Sequence, residues 1–503
     1  MTSGPQVADG TALLGYRTAA GRWTLFAMAL GSAMVAADLT VASIALPAIG
    51  REFHAGVVQL QWVFTAYTLT LAGMLLVGGA LGDRYGRRRL YLWGVGLFAA
   101  ASLVCALAPG IGVLVAGRAL QGAGGALLTP GSLAILEASF QPADRGRALG
   151  TWSGFTGLGA ALGPSLGGWL VQAGSWRLIF LVNLPITAVA AWVAWRHVPE
   201  SRDPQATGRV DLTGGVLVTV GLVGLTYGLI TGLSGGWSPP SVLALAGGAA
   251  LLVTFLLWES RRPNPMLPLA LFASRRFGVA NAVTFIVYGA VGGVMFLLPI
   301  ELQQVAGYTP LQAGTALLPL TFIMLALSGR SGALAGRIGL RPQLTVGPLV
   351  TGLGLALFHR ISPGGSYLTE ILPAAVVFAL GVACTVAPLT TAAMTAVPAE
   401  HAGVASAVNN DVGRVANLVA VAVLPPVVGI VGSAYLDPHR FSAGFGTAAF
   451  IAAGLCAAAG LLAAATMGTA GAPLAPAVPM HCALEAPPLR PGPQPTLAMG
   501  ADS

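Results

Sequence analysis

The stretch GTWSGFTGLGAALGPSLGGWL, residues 150–170, holds seven glycines and one proline within an otherwise apolar run. In a helix in water, glycine costs about 1 kcal/mol and proline about 3 kcal/mol relative to alanine. In lipid, by contrast, small residues drive helix association because they let two backbones approach closely. Gly159, Gly163 and Gly167 recur every four residues and therefore share one helix face. The stretch predicts a membrane helix packed closely on a neighbour, with a bend at Pro164, which removes one backbone hydrogen bond.

The composition of the whole chain agrees with a membrane environment. Of 503 residues, 55% are hydrophobic and 8% are charged, and the mean hydropathy is +0.79. A soluble globular protein carries roughly 25% charged residues, so a large soluble enzyme is excluded. All 25 basic residues are arginine, and a chain without lysine cannot form the phosphate-binding loop of an ATP-driven pump. The four scattered cysteines indicate neither a metal site nor a disulfide framework.

A helix crosses the hydrocarbon layer with about 20 apolar residues, and this template predicts fourteen membrane spans. They are 23–48, 59–82, 90–109, 112–138, 147–172, 178–196, 211–232, 241–258, 277–301, 312–335, 343–359, 370–396, 404–431 and 444–467. The predicted architecture is all-α, with two six-helix bundles (23–196 and 277–467) and two additional central helices (211–258). The remaining parts are an N-terminal tail (1–22), a linker (197–210), a loop (259–276) and a disordered C-terminal tail (468–503).

The arginines predict the orientation in the membrane, because cytoplasmic loops carry the excess of positive charge. On this topology 19 arginines lie on one side, four lie on the other and two lie inside spans. Both termini, and hence both tails, the linker and the loop 259–276, are therefore expected in the cytoplasm of a bacterial cell. The arginines lie beside membrane spans, which favours a lipid surface over nucleic acid as the partner of this basic chain.

A weak internal repeat predicts that the two bundles are duplicates. GALGDRYGRRRL, residues 79–90, is echoed by GALAGRIGLRPQL, residues 332–344, in which Gly336 replaces Asp83. Duplicated bundles around a central site are typical of transporters. In the first copy, Gly79 permits tight packing and Gly86 permits a turn, while Asp83 can meet an arginine or a helix N-terminus. A merely topogenic arginine cluster is the alternative.

Two charges lie inside predicted spans. Arg118, within RALQG (118–122), is a permanent charge in mid-membrane, which is costly unless it faces a polar cavity or a partner. Asp38, within AADLTVASIALP (36–47), is an acid that burial can keep neutral in one state and that can ionise in another. That is the requirement for a proton carrier. For each residue the alternative is a static ion pair.

These motifs resemble those of the major facilitator superfamily, and specifically its fourteen-helix branch of EmrB/QacA-like drug:proton antiporters. The spacing from Gly150 through Gly159, Gly163-Pro164 and Gly167 is similar to the antiporter motif in the fifth helix of proton-driven exporters. The resemblance implies the major facilitator fold, with proton coupling at Asp38 and Arg118. It also implies conformational gating by a larger set of residues. These are Gly79, Asp83, Arg84, Gly86, Arg87, Gly159, Gly163, Pro164 and Gly167.

Other polar residues in spans are weaker candidates. Asp411 and Arg414 are spaced i, i+3 in the thirteenth span and are expected to form an ion pair or gate within that helix, with a second proton site as the alternative. Glu137, Glu301 and Glu370 fall at predicted span ends, where residues are usually solvated. Candidate residues lining the substrate cavity are Trp62, Tyr67, Gln121, Phe155, Asn281 and Gln304.

The sequence therefore predicts a proton-coupled antiporter that exports a hydrophobic drug or antibiotic, cationic compounds among them, for multidrug or self-resistance. It is expected to act as a monomer in the bacterial cytoplasmic membrane, driven by the proton-motive force without a cofactor. An importer or facilitator of a small nutrient on the same fold is one alternative. A non-transporting membrane sensor is another, and a membrane enzyme is disfavoured because no nucleophile, metal or nucleotide site is recognisable.

Overall fold

The computed structural model describes residues 13–203, 210–262, 265–398 and 401–467. Within them the chain forms fourteen long helices connected by short loops and single turns. In chain order they are α1 (Ala19–Phe53), α2 (Val57–Tyr85), α3 (Arg87–Ala106), α4 (Ile111–Ser139), α5 (Pro142–Ala173), α6 (Leu178–His197), α7 (Leu212–Gly235), α8 (Pro239–Glu259), α9 (Arg275–Val305), α10 (Pro310–Ile338), α11 (Leu340–Leu357), α12 (Tyr367–Thr395), α13 (Ala402–Val427) and α14 (Pro438–Thr466). The predicted disordered tail 468–503, most of the predicted N-terminal tail and part of the predicted linker lie outside the described residues.

Eleven of these helices are long and apolar enough to cross a membrane, so the chain is a multi-pass membrane protein. The other three are α5, α11 and α13. Glycines are frequent in α5, while α13 carries Asp411 and Arg414. That these three helices also cross the membrane, which the count of fourteen spans requires, stays a prediction.

The helices pack in two groups with a hairpin beside them. In the first group, α1 packs on α5, and α4 packs on both α2 and α3. In the second group, α11 packs on α12 and α14, and α9 packs on α13 and α14. The hairpin of α7 and α8 rests through α7 on α2 and α13, one helix from each group. The two additional helices therefore lie beside the seam between the groups.

The glycine stripe of α5 lies against α1. A Cβ built on Gly159 would lie 2.9 Å from Ala33 Cα, and one on Gly167 would lie 3.0 Å from Val41 Cγ1. Between them, a Cβ on Gly163 would approach the Ala37 carbonyl oxygen to 3.0 Å. The small residues therefore bring the two backbones together along three successive turns.

Among the described residues, the contacts between the two groups are concentrated toward one end of the molecule. We call the end that carries the loops after α2, α4 and α10 the arginine-rich end, and the opposite end the far end. At the far end, a Cβ on Gly314 of α10 would lie 3.2 Å from Ser165 Cα of α5, and Ser165 Oγ donates to the Gly314 carbonyl (3.2 Å). Toward the arginine-rich end, Cβ atoms built on Gly150 and Gly154 of α5 or on Gly332 of α10 meet nothing within 4 Å. The helices α5 and α10 therefore diverge toward that end.

Two glutamines strengthen the closure at the far end. Gln61 Nε2 of α2 donates to the Val421 carbonyl of α13 (2.6 Å), and Gln303 Nε2 of α9 donates to the Ile44 carbonyl of α1 (2.9 Å). Phe64 and Phe296 pack edge to face between the same groups, with ring centroids 5.6 Å apart. The structure is thus closed at the far end and open at the arginine-rich end.

Candidate functional site

The two charges predicted inside spans are in contact with each other. Arg118 Nη1 of α4 donates to Asp38 Oδ2 of α1, and the residues are 0% and 4% exposed respectively. The second carboxylate oxygen, Oδ1, accepts from Asn183 Nδ2 (2.9 Å) and Gln121 Nε2 (3.4 Å). Asp38 therefore lies at the centre of a buried polar network that joins α1, α4 and α6.

Arg118 is held from several sides. Its Nε donates to the Val63 carbonyl (3.2 Å) and its Nη1 also donates to Gln121 Oε1 (2.9 Å). The guanidinium carbon lies 4.4 Å from the centroid of the Tyr67 ring and 5.7 Å from that of Phe180, distances that allow cation–π attraction. Only Nη2 has no partner among the described residues. The cation is thus fixed in place, and the carboxylate is the partner that a proton can neutralise.

A second layer fixes the amide groups. Ser102 Oγ of α3 accepts from Gln121 Nε2 (2.8 Å) and from Asn183 Nδ2 (3.4 Å). Sequence reasoning missed Ser102 and Asn183. The available signal was weak, since each is a single polar side chain in an apolar span, and Asn183 follows the interruption of α6 at Val182.

Glycines on α4 allow the arginine to reach this position. A Cβ on Gly117 would lie 3.3 Å from the Cys105 backbone nitrogen of α3, and one on Gly122 would lie 3.0 Å from the Tyr67 carbonyl carbon of α2. Because both neighbours approach so closely, the Arg118 side chain is enclosed between helices rather than exposed to lipid or water.

Most of the predicted cavity-lining residues lie elsewhere. Tyr67 and Gln121 are fully buried within the Asp38 network. Trp62 packs toward Tyr227 of α7, with ring centroids 6.2 Å apart, because this face of α2 meets the hairpin. Phe155, on the diverging half of α5, is 52% exposed and is the one predicted lining residue with a large open surface.

The two predicted lining residues of α9 are also engaged in other contacts. Asn281 is buried and accepts from Asn409 Nδ2 of α13 (3.1 Å), in a bond between helices of the second group. Gln304 lies at the far end and donates to the Tyr435 hydroxyl (3.2 Å).

The predicted ion pair on α13 is absent. Asp411 and Arg414, both described in the structure, make no ion pair with each other, and the buried atoms Asp411 Oδ1 and Arg414 Nη1 have no hydrogen-bond partner. Spacing of i, i+3 permits a contact but does not require it. Asn417, one turn further along, also has a buried oxygen without a partner. The three side chains form a polar strip on α13.

The charged loop after α2 is stabilised within the first group. Asp83 pairs with Arg87 one turn later (2.7 Å), and Arg87 Nη1 also donates to the Ala134 carbonyl (3.3 Å). The Arg84 guanidinium lies 5.5 Å from the Tyr85 ring centroid. These three contacts all lie within the first group. The role of this loop in conformational gating stays a prediction.

Glu200, which the sequence analysis did not identify, binds the backbone at the end of this loop. Its carboxylate oxygens accept from the backbone N–H groups of Arg88 (3.0 Å) and Arg89 (3.2 Å) at the start of α3. Gly86 adopts φ +113°, and a Cβ there would lie 2.9 Å from Glu200 Cδ. Because a side chain at that position would collide with the carboxylate, the glycine is required both by conformation and by space.

The chain matches the family model described as Major Facilitator Superfamily over residues 28–421. It is 38% identical to the multidrug resistance protein Stp of Mycobacterium tuberculosis (strain CDC 1551 / Oshkosh), over 83% of this chain and 77% of that protein. It is 36% identical to the puromycin resistance protein pur8 of Streptomyces alboniger, over 84% of each chain.

The fold is also similar to that of a solved transporter. The crystal structure of a bacterial homolog of the human lysosomal transporter Spinster, in an inward-facing and unoccupied conformation, aligns with a TM-score of 0.65 at 17% identity. The alignment covers 89% of this chain and 98% of that one. Sequence and fold agree, and the chain belongs to the Major Facilitator Superfamily.

Proposed function

We propose that the chain is a proton-coupled antiporter that exports hydrophobic drugs or antibiotics, cationic compounds among them, from a bacterial cell. The observation that carries the coupling is the buried pair of Asp38 and Arg118, because its carboxylate can exchange a salt bridge for a proton. The export of drugs is supported by relatives named for resistance to puromycin and for multidrug resistance.

The proton cycle follows from the charges of the pair. With the arginine-rich end open, Asp38 is paired with Arg118. When the far end opens, a proton from that side neutralises Asp38 and the substrate leaves. The neutral acid tolerates the apolar interior while the bundles rock. After return, loss of the proton restores the ion pair as new substrate binds.

The driving force is sufficient for export. For a neutral cargo exchanged for one proton, one net charge crosses the membrane, and at 100 mV it supplies about 2.3 kcal/mol, which corresponds to roughly fiftyfold accumulation. No cofactor is needed in this cycle, and a single chain holds the complete Asp38 network, which supports function as a monomer.

Branch and location are part of the same proposal. Fourteen long helices, with a hairpin at the seam between two six-helix groups, support assignment to the EmrB/QacA-like branch. The chain is then a cytoplasmic-membrane protein whose arginine-rich end and termini face the cytoplasm. The open end of this structure would be the cytoplasmic one.

The proposal is tested with Asp38→Asn in inverted membrane vesicles, with ethidium as the probe cation. The wild type should accumulate ethidium when a pH gradient is imposed, and the variant should insert normally but lose that accumulation. A protonophore should abolish the wild-type signal. Ethidium accumulation that survives either treatment would contradict proton coupling.

A further inference from the structure

A buried carboxyl outside the Asp38 network has no role in the cycle above. Glu301 of α9 was expected at a solvated span end, yet it is 0% exposed. Its Oε1 accepts from Ser442 Oγ of α14 (2.8 Å), while Oε2 is buried without any partner among the described residues. No described cation contacts it. An ionised carboxylate in such a setting costs several kcal/mol, so the group favours the neutral, protonated form.

The backbone around this residue is unusual. Residues Glu301–Val305 form a π-helical turn at the end of α9. Such turns are rare and occur frequently at functional sites, because the extra residue in the turn redirects side chains. Here the turn places Glu301 against α14 and places Gln304, on the same turn, beside a surface cavity.

That cavity lies at the far end of the molecule, next to the Glu301 site. Its volume is about 660 Å³, and Ser442, the donor to Glu301, is among its lining residues. His359 and His439 also line it, and both are exposed. Ser442 therefore contacts both the buried carboxyl and the cavity.

The other titratable groups near this site do not neutralise Glu301. Burial raises the pKa of the Tyr435 phenol to about 12, so this side chain, which accepts from Gln304, stays neutral. Arg440 is exposed and pairs with Asp437 (3.6 Å) on its own helix turn. Arg51 of α1 lies close enough to act on the Tyr435 phenol, and the two histidines line the cavity.

We propose that Glu301 is a second proton-binding carboxyl of the transporter, loaded from the far end through the cavity and Ser442. In the loading step a hydronium ion in the cavity gives a proton to Ser442 Oγ while Ser442 passes its own hydroxyl proton to Glu301 Oε1. A neutral water molecule and a neutral serine remain, so charge and atoms balance. The role in transport rests on the proposed function, whereas the protonation itself does not.

Infrared difference spectroscopy of the full chain in liposomes tests the protonation without transport. At neutral pH the wild type should show a carboxylic-acid C=O band that Glu301→Gln removes. Glu370→Gln is the matched control and should leave the band in place, since Glu370 is only partly buried and both its carboxylate oxygens accept from Ser362, from its backbone N–H (2.9 Å) and its Oγ (2.9 Å). A band that Glu301→Gln leaves unchanged would overturn the proposal.

The route is tested with Ser442→Ala. This variant should keep the acid band but slow its shift when the liposomes are moved into D2O, because the relay hydroxyl is gone. An unchanged exchange rate would refute the route through Ser442.

A role of Glu301 in coupling is tested in vesicles. There Glu301→Gln should lose pH-gradient-driven ethidium accumulation while Glu370→Gln keeps it, and equal accumulation by both variants would refute a coupling role. If the wild type itself moves no ethidium, the proposed function fails, and the infrared band still decides the protonation site.

Discussion

Removing one charge of the buried pair tests whether Asp38 and Arg118 act as one unit. Asp38→Asn keeps the shape and leaves Arg118 enclosed at 0% exposure without a counter-ion. Loss of one partner of a buried ion pair costs about 3–5 kcal/mol, because the remaining charge is desolvated and unpaired. Arg118→Gln leaves the carboxylate in the same position and should cost a similar amount.

The double variant measures the coupling between Asp38 and Arg118. Asp38→Asn with Arg118→Gln leaves no unpaired charge, and Asn183, Gln121 and the new amides can still exchange hydrogen bonds. We expect the double variant to lose about 3 kcal/mol less free energy of unfolding than the sum of the two single-variant losses. This value is the upper end of measured couplings between contacting residues. Transport should not recover, because the pair no longer holds a carboxyl that can bind the proton.

The assay is reversible unfolding in mixed micelles, together with ethidium accumulation in inverted vesicles. The half-exposed pair of Asp83 and Arg87 is the matched control, with side chains 37% and 15% exposed. Its neutralisation should cost about 1 kcal/mol or less, since water screens such pairs. Strict additivity at Asp38 and Arg118, or losses no larger than those of the control pair, would refute the buried-pair reasoning.

Three further substitutions examine packing and closure. Gly163→Ala should prevent the close contact of α5 with α1 and reduce folded protein, because the Cβ would lie 3.0 Å from a backbone carbonyl. Gly157→Ala is the control: its Cβ meets nothing within 4 Å, so the variant should be neutral or stabilise the helix by about 1 kcal/mol. Equal yields of folded protein from the two variants would contradict the proposed packing of the glycine stripe on α1. Gln61→Leu removes a bond between the groups and should shift the population about fivefold toward opening at the far end, as measured by spin-label distances; an unchanged distribution would exclude it as a clamp. Glu200→Gln weakens the hydrogen bonds that cap the start of α3, which should cost about 1 kcal/mol of stability and lower the melting temperature. Glu137→Gln, at an exposed glutamate, should leave the melting temperature unchanged, and equal melting temperatures of the two variants would refute this capping role.

The family and the helical, membrane-spanning class were predictable from local patterns. Apolar runs of the right length, the glycine stripe of residues 150–170 and single charges within spans are all features of short segments, and each retains its meaning without knowledge of its neighbours. Asp38 and Arg118 could be identified for the same reason, since a charge within an apolar run is exceptional wherever it occurs.

Partners across helices were not predictable in this way. Trp62 and Gln304 were expected at a central cavity, but in a membrane helix apolar residues surround the whole circumference, so periodicity does not reveal which face meets another helix. Asn183 reaches Asp38 across 145 positions of sequence, and the burial of Glu301 depends on α14. Such contacts arise only when distant helices pack, which is why the polar network around Asp38 and Arg118 is a property of the assembled bundle and not of any one segment.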